Sequence, residues 1–214
     1  ITNMATPQNS AGELSPATLS QAYDSIKESF DQVNGGFGNA PKFPQPMVLE
    51  YLLKHHHRTR SQDALDMVET TLKNMARGGI YDQIGGGFHR YSTDRRWLVP
   101  HFEKMLYDNA LLSNVYLHAY QITLNPFYRE ILEDTLDYVI REMVAPAGGF
   151  YSSQDADSEG KEGKYYVWKQ DDIERHINQQ YKPIIESYFG VTDTGNFDGD
   201  NILNRPLDDT TVAQ

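Results

Sequence analysis

The sequence predicts an all-α fold of helical hairpins with short β-hairpin decorations. Apolar residues recur at helical spacing through five long segments, each bounded by helix start or stop residues. A Gly-Phe step also follows a helix three times, at Gly36-Phe37, Gly87-Phe88 and Gly149-Phe150, the phenylalanines standing 51 and then 62 residues apart. That distance suits a helical hairpin plus its loops. The step has a mechanical reading, in which glycine leaves the helix in a left-handed conformation and phenylalanine returns the chain to the core. Hairpins that each bury one face stack into a solenoid or close into a ring.

Ser15 and Pro16 start the first helix, with Leu19, Ala22, Tyr23, Ile26, Phe30 and Val33 on its apolar stripe. A second helix covers 46 to 57, and its run His55-His56-His57 reads as a solvated end. Adjacent helical residues point too far apart to share a metal. Ser61 caps a third helix, which carries Leu65, Val68, Leu72 and Met75 and stops at Gly78. Pro100 is expected to open a fourth, running to Thr123 and buried on most sides. Asn125 and Pro126 start the fifth, and shorter helices follow at 170–178 and 181–189. Segments 149–153 and 164–168 read as a β-hairpin around an acidic turn.

The 214 residues carry 19 Lys plus Arg against 30 Asp plus Glu, a formal charge of −11. That balance argues against nucleic acid and anionic membrane surfaces as partners, since both call for basic patches. No apolar run approaches the length of a membrane-spanning helix. Cysteine is absent, which excludes thiol catalysis and thiolate metal sites within this sequence. The opening ITNMATPQNSAG and the closing DDTTVAQ both read as linker.

Four stretches carry a resemblance. GGFGNAPKFP (35–44), GGIYDQIGGGFHRYSTDRRWLVPHFEKMLYDNA (78–110), GGFYSSQDADSEGKEGKYYVW (148–168) and NFDGDNIL (196–203) resemble the thioredoxin-domain-containing family that includes spermatogenesis-associated protein 20. The resemblance implies a thioredoxin-like domain followed by an (α/α)6 toroid similar to N-acylglucosamine 2-epimerases and other six-hairpin sugar enzymes. On that reading residues 1–14 are the linker after the thioredoxin-like domain and 15–205 are about three hairpins, the first half of the toroid. Residues 206–214 are a tail. It implies a domain that binds or processes carbohydrate, epimerase/isomerase-like or glycosidase-like in the full-length protein and inactive as a fragment. The alternative is a non-catalytic interaction scaffold supporting the fused redox domain. Partners would be a small-molecule sugar and the thioredoxin-like domain, with no cofactor, and a cytoplasmic location is favoured. Half a ring would leave apolar faces uncovered, so self-association is expected.

The densest polar stretch is GGGFHRYSTDRRWLVPHFEKMLYDNA, residues 85–110. If Pro100 opens a helix, His101 lies in its first turn, where the dipole keeps imidazole neutral and fit to act as a base. Glu103 and Asp108 would share that helix, Glu103 as an acid–base carboxylate or a partner for Arg95 or Arg96 and Asp108 as a second carboxylate. His89, Arg90 and Tyr91 follow the glycine triplet, where the backbone can approach a ligand, and Asp82 can orient His89 or a hydroxyl. His101, Glu103, His89 and Asp108 are therefore the candidate catalytic residues, with Asp82, Arg90, Tyr91 and Tyr107 as candidate binding residues. Asp155 and Asp157 open like a calcium loop, but Tyr166 stands where the bidentate Glu belongs, so no metal is expected. The resemblance and the flanking aromatics keep Asp155, Asp157 and Trp168 as candidate sugar ligands.

Overall fold

A computed structural model describes residues 15–207 of the chain. The expected linker at 1–14 and most of the expected tail lie outside the described residues. Helix α1 spans Pro16–Ser29, α2 Pro46–Thr59 and α3 Gln62–Arg77. Short strands β1 (Tyr91–Ser92), β2 (Pro100–His101) and β3 (Lys104–Met105) precede α4 (Leu106–Thr123) and α5 (Pro126–Glu142). Strands β4 (Ser153–Gln154), β5 (Asp157–Ser158), β6 (Lys161–Glu162) and β7 (Val167–Trp168) come next. Helices α6 (Gln170–His176) and α7 (Lys182–Phe189) and strand β8 (Asn201–Ile202) complete the described chain. All strands pair antiparallel in twos: β1 with β2, β3 with β4, β5 with β6 and β7 with β8.

The caps act as their residue types require. Ser61 Oγ accepts from the Ala64 N–H at 3.4 Å, and Asn125 Oδ1 accepts from the Phe127 N–H at 3.1 Å. Alternate helices α2 and α4 lie side by side, with α3 packed on α2 and α5 packed on α4. Leu49, Leu52, Val68, Leu72, Leu112 and Tyr116 are buried between them. Each such aliphatic side chain contributes roughly 1.5–3 kcal/mol by leaving water.

Three expected boundaries are corrected. Helix α1 stops at Ser29 because Phe30 turns into extended backbone and bridges to Phe37, which leaves Val33 exposed. Segments 149–153 and 164–168 do not pair with each other: Ser153–Gln154 joins β3, and Val167–Trp168 joins β8. The acidic turn has its own hairpin, β5–β6, turned by Glu159 (φ 52°) and Gly160 (φ 75°). His55 is no solvated end either, since it is buried and stacked on Tyr23 at 4.1 Å.

The three Gly-Phe loops share one hydrogen-bond frame. Asp31 N–H donates to Gly36 O and Gly35 N–H to Asp31 O; Asp82 and Gly86–Gly87 repeat it, as do Ala145 and Gly148–Gly149. The first two loops carry a buried lysine. Lys42 Nζ donates to Asp31 Oδ2 at 2.7 Å and to Gly35 O at 2.6 Å, and lies 5.4 Å from the centre of the Trp97 ring. Lys104 Nζ donates to Asp82 Oδ2 and to Gly86 O, both at 2.8 Å, and lies 4.2 Å from the Tyr138 ring centre. The third loop has neither partner: Ala145 replaces the aspartate, and Val167 stands 22 residues after it, as Lys104 does after Asp82. Phe37 and Phe88 are buried as expected, whereas Phe150 is exposed.

The glycines of the first two loops also touch the helix one hairpin further on. A Cβ on Gly35 would lie 2.7 Å from Thr71 Cα in α3, and one on Gly86 2.7 Å from Asp134 O in α5. A Cβ on Gly87 would strike the Tyr138 ring, while Gly148 and Gly149 have nothing within 4 Å.

Burial alone would raise the Asp31 pKa, but the Lys42 hydrogen bond, joined by donors from Asn34 and Val33, holds it far below the carboxylate range. A depressed folded-state pKa makes this stabilisation complete above the unfolded value and lost as pH falls. Asp31→Asn should cost about 3–5 kcal/mol in urea unfolding at pH 7, because it strands a buried ammonium. The gap from the wild type should narrow below about pH 4. Gly87→Ala should destabilise severely, whereas Gly149→Ala, at the same φ of 79° but in open space, should cost only about 1–3 kcal/mol of backbone strain. Equal thermal shifts for those two variants would refute the packing account.

Candidate functional site

The residues between α3 and α4 form a β-hairpin rather than a helix start. Tyr91 pairs with His101 and Ser92 with Pro100, while Arg90 N–H donates to Glu103 O and Thr93 N–H to Val99 O. Asp94 fixes the tip by accepting from the N–H groups of Arg96, Leu98 and Val99 at 2.5, 3.1 and 2.5 Å. Those side-chain bonds occupy the donors before Pro100, and the chain stays extended until Met105. Pro100 therefore opens no helix, and His101 and Glu103 stand on strand and loop ahead of α4. Only Asp108 lies in its first turn. The dipole argument for a neutral His101 falls with that correction.

The hairpin separates the predicted residues into two groups. Asp82, His89 and Trp168 line a cavity of about 340 Å³, together with Phe102, Tyr165 and Tyr166. His89 is buried, and its Nδ1 sits 3.0 Å from the Phe102 carbonyl, which can only accept. Burial and the nearby Lys104 charge push its pKa down to about 3, so the ring is neutral and keeps a lone pair on Nε2. Burial would raise the Asp82 pKa, but Lys104 outweighs it and holds the carboxyl below its usual range. At Lys104 burial prevails over Asp82 and lowers the ammonium from the ordinary lysine value. The Tyr166 ring centre lies 4.9 Å from Lys104 Nζ and edge-on to His89 at 4.6 Å.

The second group gathers at the start of α4. Phe43, Tyr91 and His101 stack in a row, with ring centres 4.8 and then 5.1 Å apart. Phe43 ends the row exposed to water. His101 Nδ1 is 2.7 Å from Glu162 Oε1 on β6, and a carboxylate there requires the proton on Nδ1. That leaves Nε2 as the basic nitrogen, 3.8 Å from Glu103 Oε2. Glu103 accepts from Arg90 Nη1 at 2.9 Å. Asp108 is buried beside them, its Oδ2 has no hydrogen-bond partner, and burial raises its pKa to about 6 against the pull of Arg90. Tyr107 is exposed.

Asp155 and Asp157 join neither group: Asp155 Oδ1 accepts from the Asp157 N–H at 3.1 Å in a solvent-facing turn. Sequence reasoning missed Glu162, Phe43 and Lys104. Glu162 lies 61 residues from His101 and reaches it only through the β5–β6 hairpin. For Lys104, spacing was no signal, since it stands 22 residues after Asp82 whereas Lys42 stands 11 after Asp31. The chemistry of the α4 group is that of a histidine whose tautomer is set by one carboxylate and whose free nitrogen faces another, beside an aromatic platform.

No protein-family model matches the chain. It is 40% identical over 213 residues to spermatogenesis-associated protein 20 of Mus musculus, covering 90% of this chain and 27% of that protein. Against the Homo sapiens protein of that name the identity is 41% over 202 residues, with 85% and 26% covered. Among solved structures, a sugar epimerase from a ruminal bacterium superposes at TM-score 0.58 with 12% identity, covering 82% of this chain and 49% of that one. Cellobiose 2-epimerase from Spirochaeta thermophila gives 0.55 with 15% identity, covering 67% and 42%. The family 76 mannosidase Bt3792 from Bacteroides thetaiotaomicron gives 0.54 with 13% identity, covering 64% and 38%. At such identities the likeness is one of fold: the chain matches part of an (α/α)6 toroid. It is a homologue of spermatogenesis-associated protein 20, and spans about a quarter of the length of those relatives.

Proposed function

We propose that this chain forms one wall of a carbohydrate site in a longer toroid protein, and that His101 moves a proton there. The observation that carries this reading is the Phe43–Tyr91–His101 stack, which ends on a histidine held between Glu162 and Glu103. Aromatic faces suit the apolar face of a sugar ring, and a carboxylate-oriented histidine suits proton abstraction beside a carbonyl. In this reading His101 Nε2 is the base, and Glu162 fixes its tautomer. Glu103 and Asp108 offer the carboxylates that hydroxyls or a second proton transfer need, while Arg90, Tyr91 and Tyr107 hold the ring. The toroids of sugar epimerases and of a mannosidase support the substrate class by analogy of fold. Asp82, His89 and Trp168 serve from the adjoining cavity, and Asp155 and Asp157 are the weakest of the proposed ligands.

A second reading, a non-catalytic scaffold for a fused thioredoxin-like domain, is favoured by one observation. Glu103 is already bonded to Arg90, and His101 to Glu162, so the group is closed upon itself.

Proton NMR of the full-length protein with monosaccharides, amino sugars and uronides separates the two. Saturation transfer reports binding and new anomeric signals report conversion. His101→Ala should lower conversion by at least about a hundredfold while leaving saturation transfer in place. Glu162→Gln should reduce conversion less, and Phe43→Ala should weaken binding. Absence of both signals across the panel would favour the scaffold.

A further inference from the structure

Apart from the groups already described, one cleft departs from the character of the molecule. It holds about 310 Å³ between the Asn34 loop, the end of α3 and the segment after β8, and among the described residues no carboxylate lines it. Arg77, Arg96, Arg205, Asn34, Asn74 and Asn204 supply its polar wall. In a chain of net charge −11, this puts three of the 19 Lys and Arg residues in one cleft.

Their arrangement concentrates like charge. The Arg77 and Arg205 guanidiniums lie 5.8 and 5.9 Å from the same Phe127 ring centre. Arg205 N–H donates to Arg77 O at 2.7 Å, which ties the two backbones together. Arg205 has Glu130 at 3.9 Å and the Tyr188 ring at 5.1 Å. Arg77 and Arg96 form no ion pair among the described residues. Arg77 Nε is moreover buried without a hydrogen-bond partner. An unpartnered guanidinium N–H in a protein interior costs free energy that an anion can offset.

The asparagines add donors. Each amide nitrogen spends one hydrogen internally: Asn34 on Asp31 Oδ2 at 3.0 Å, Asn74 on Val33 O at 3.4 Å and Asn204 on Ile202 O at 3.2 Å. One hydrogen remains on each. Guanidinium forks and amides meeting from several sides match the oxygens of a phosphate better than the two of a carboxylate.

We propose that this cleft binds a phosphate-bearing small molecule, with Arg77 and Arg96 as its principal ligands. It shares no residue with the His101 group or with the His89 cavity, so its failure and that of the carbohydrate reading are separable.

The test uses inorganic phosphate as the probe on the full chain at low ionic strength, read by phosphorus NMR line broadening and by titration calorimetry, with glucuronate as the carboxylate arm. Saturable phosphate binding is expected, competed by added chloride and at least about tenfold tighter than binding of glucuronate. Arg96→Gln, at an exposed position, should weaken it about tenfold without moving the thermal midpoint, and Arg77→Gln should weaken it at least as much. No saturable broadening with the wild type, undiminished binding in Arg96→Gln, or preference for glucuronate would each overturn the proposal.

Discussion

A lysine ammonium buried against an aspartate, a loop carbonyl and an aromatic face is the interaction on which this architecture rests. It occurs at Lys42 and again at Lys104. In each case the aspartate also accepts backbone N–H groups of its own loop, so one ion pair closes the loop and fixes where the chain re-enters the core. The desolvation cost of such a pair is high, and it is met only because the carbonyl and the ring share the ammonium. Since Lys42 bridges to Ser92 and Lys104 to Gln154, each lock also ties its loop to the segment that follows the next one. The helices are thereby held in register from outside the apolar core.

The same lock places the two chemical groups. Lys104 belongs in sequence to the α4 group, immediately after Glu103 and three residues before Tyr107. Its side chain is drawn to the Asp82 side, where it helps keep His89 neutral, while Glu103 remains beside His101. One buried cation thus sets the electrostatics of the cavity and anchors the backbone that carries the α4 group.

Much of the fold was legible because its signals are local. Pro46, Ser61, Asn125 and Pro126 mark helix starts that the structure keeps, and the Gly-Phe steps mark the three loops. Pro100 misled because proline before a long apolar run is also compatible with a β2 strand. The deciding element was Asp94, six residues earlier, whose carboxylate takes the N–H groups of the turn. The members of the site were mostly recognised as polar residues a core does not need, but their grouping was not. His89 lines the cavity and His101 ends the aromatic row, a division that periodicity did not reveal. Glu162 comes from a loop whose acidic composition looked like solvation, and distance in sequence hid its partner.

The third Gly-Phe loop lacks the lock, and the chain beyond it runs out to an exposed hairpin before returning at β7. That hairpin supplies Glu162, so the proton on His101 Nδ1 is secured by a solvent-facing segment. Short, solvent-facing strands open at low free-energy cost relative to global unfolding. Each opening releases the imidazole from the hydrogen bond that fixes its tautomer. The tautomer of His101 is therefore coupled to a fluctuation of the surface, while the neutrality of His89, held by burial and Lys104, is not.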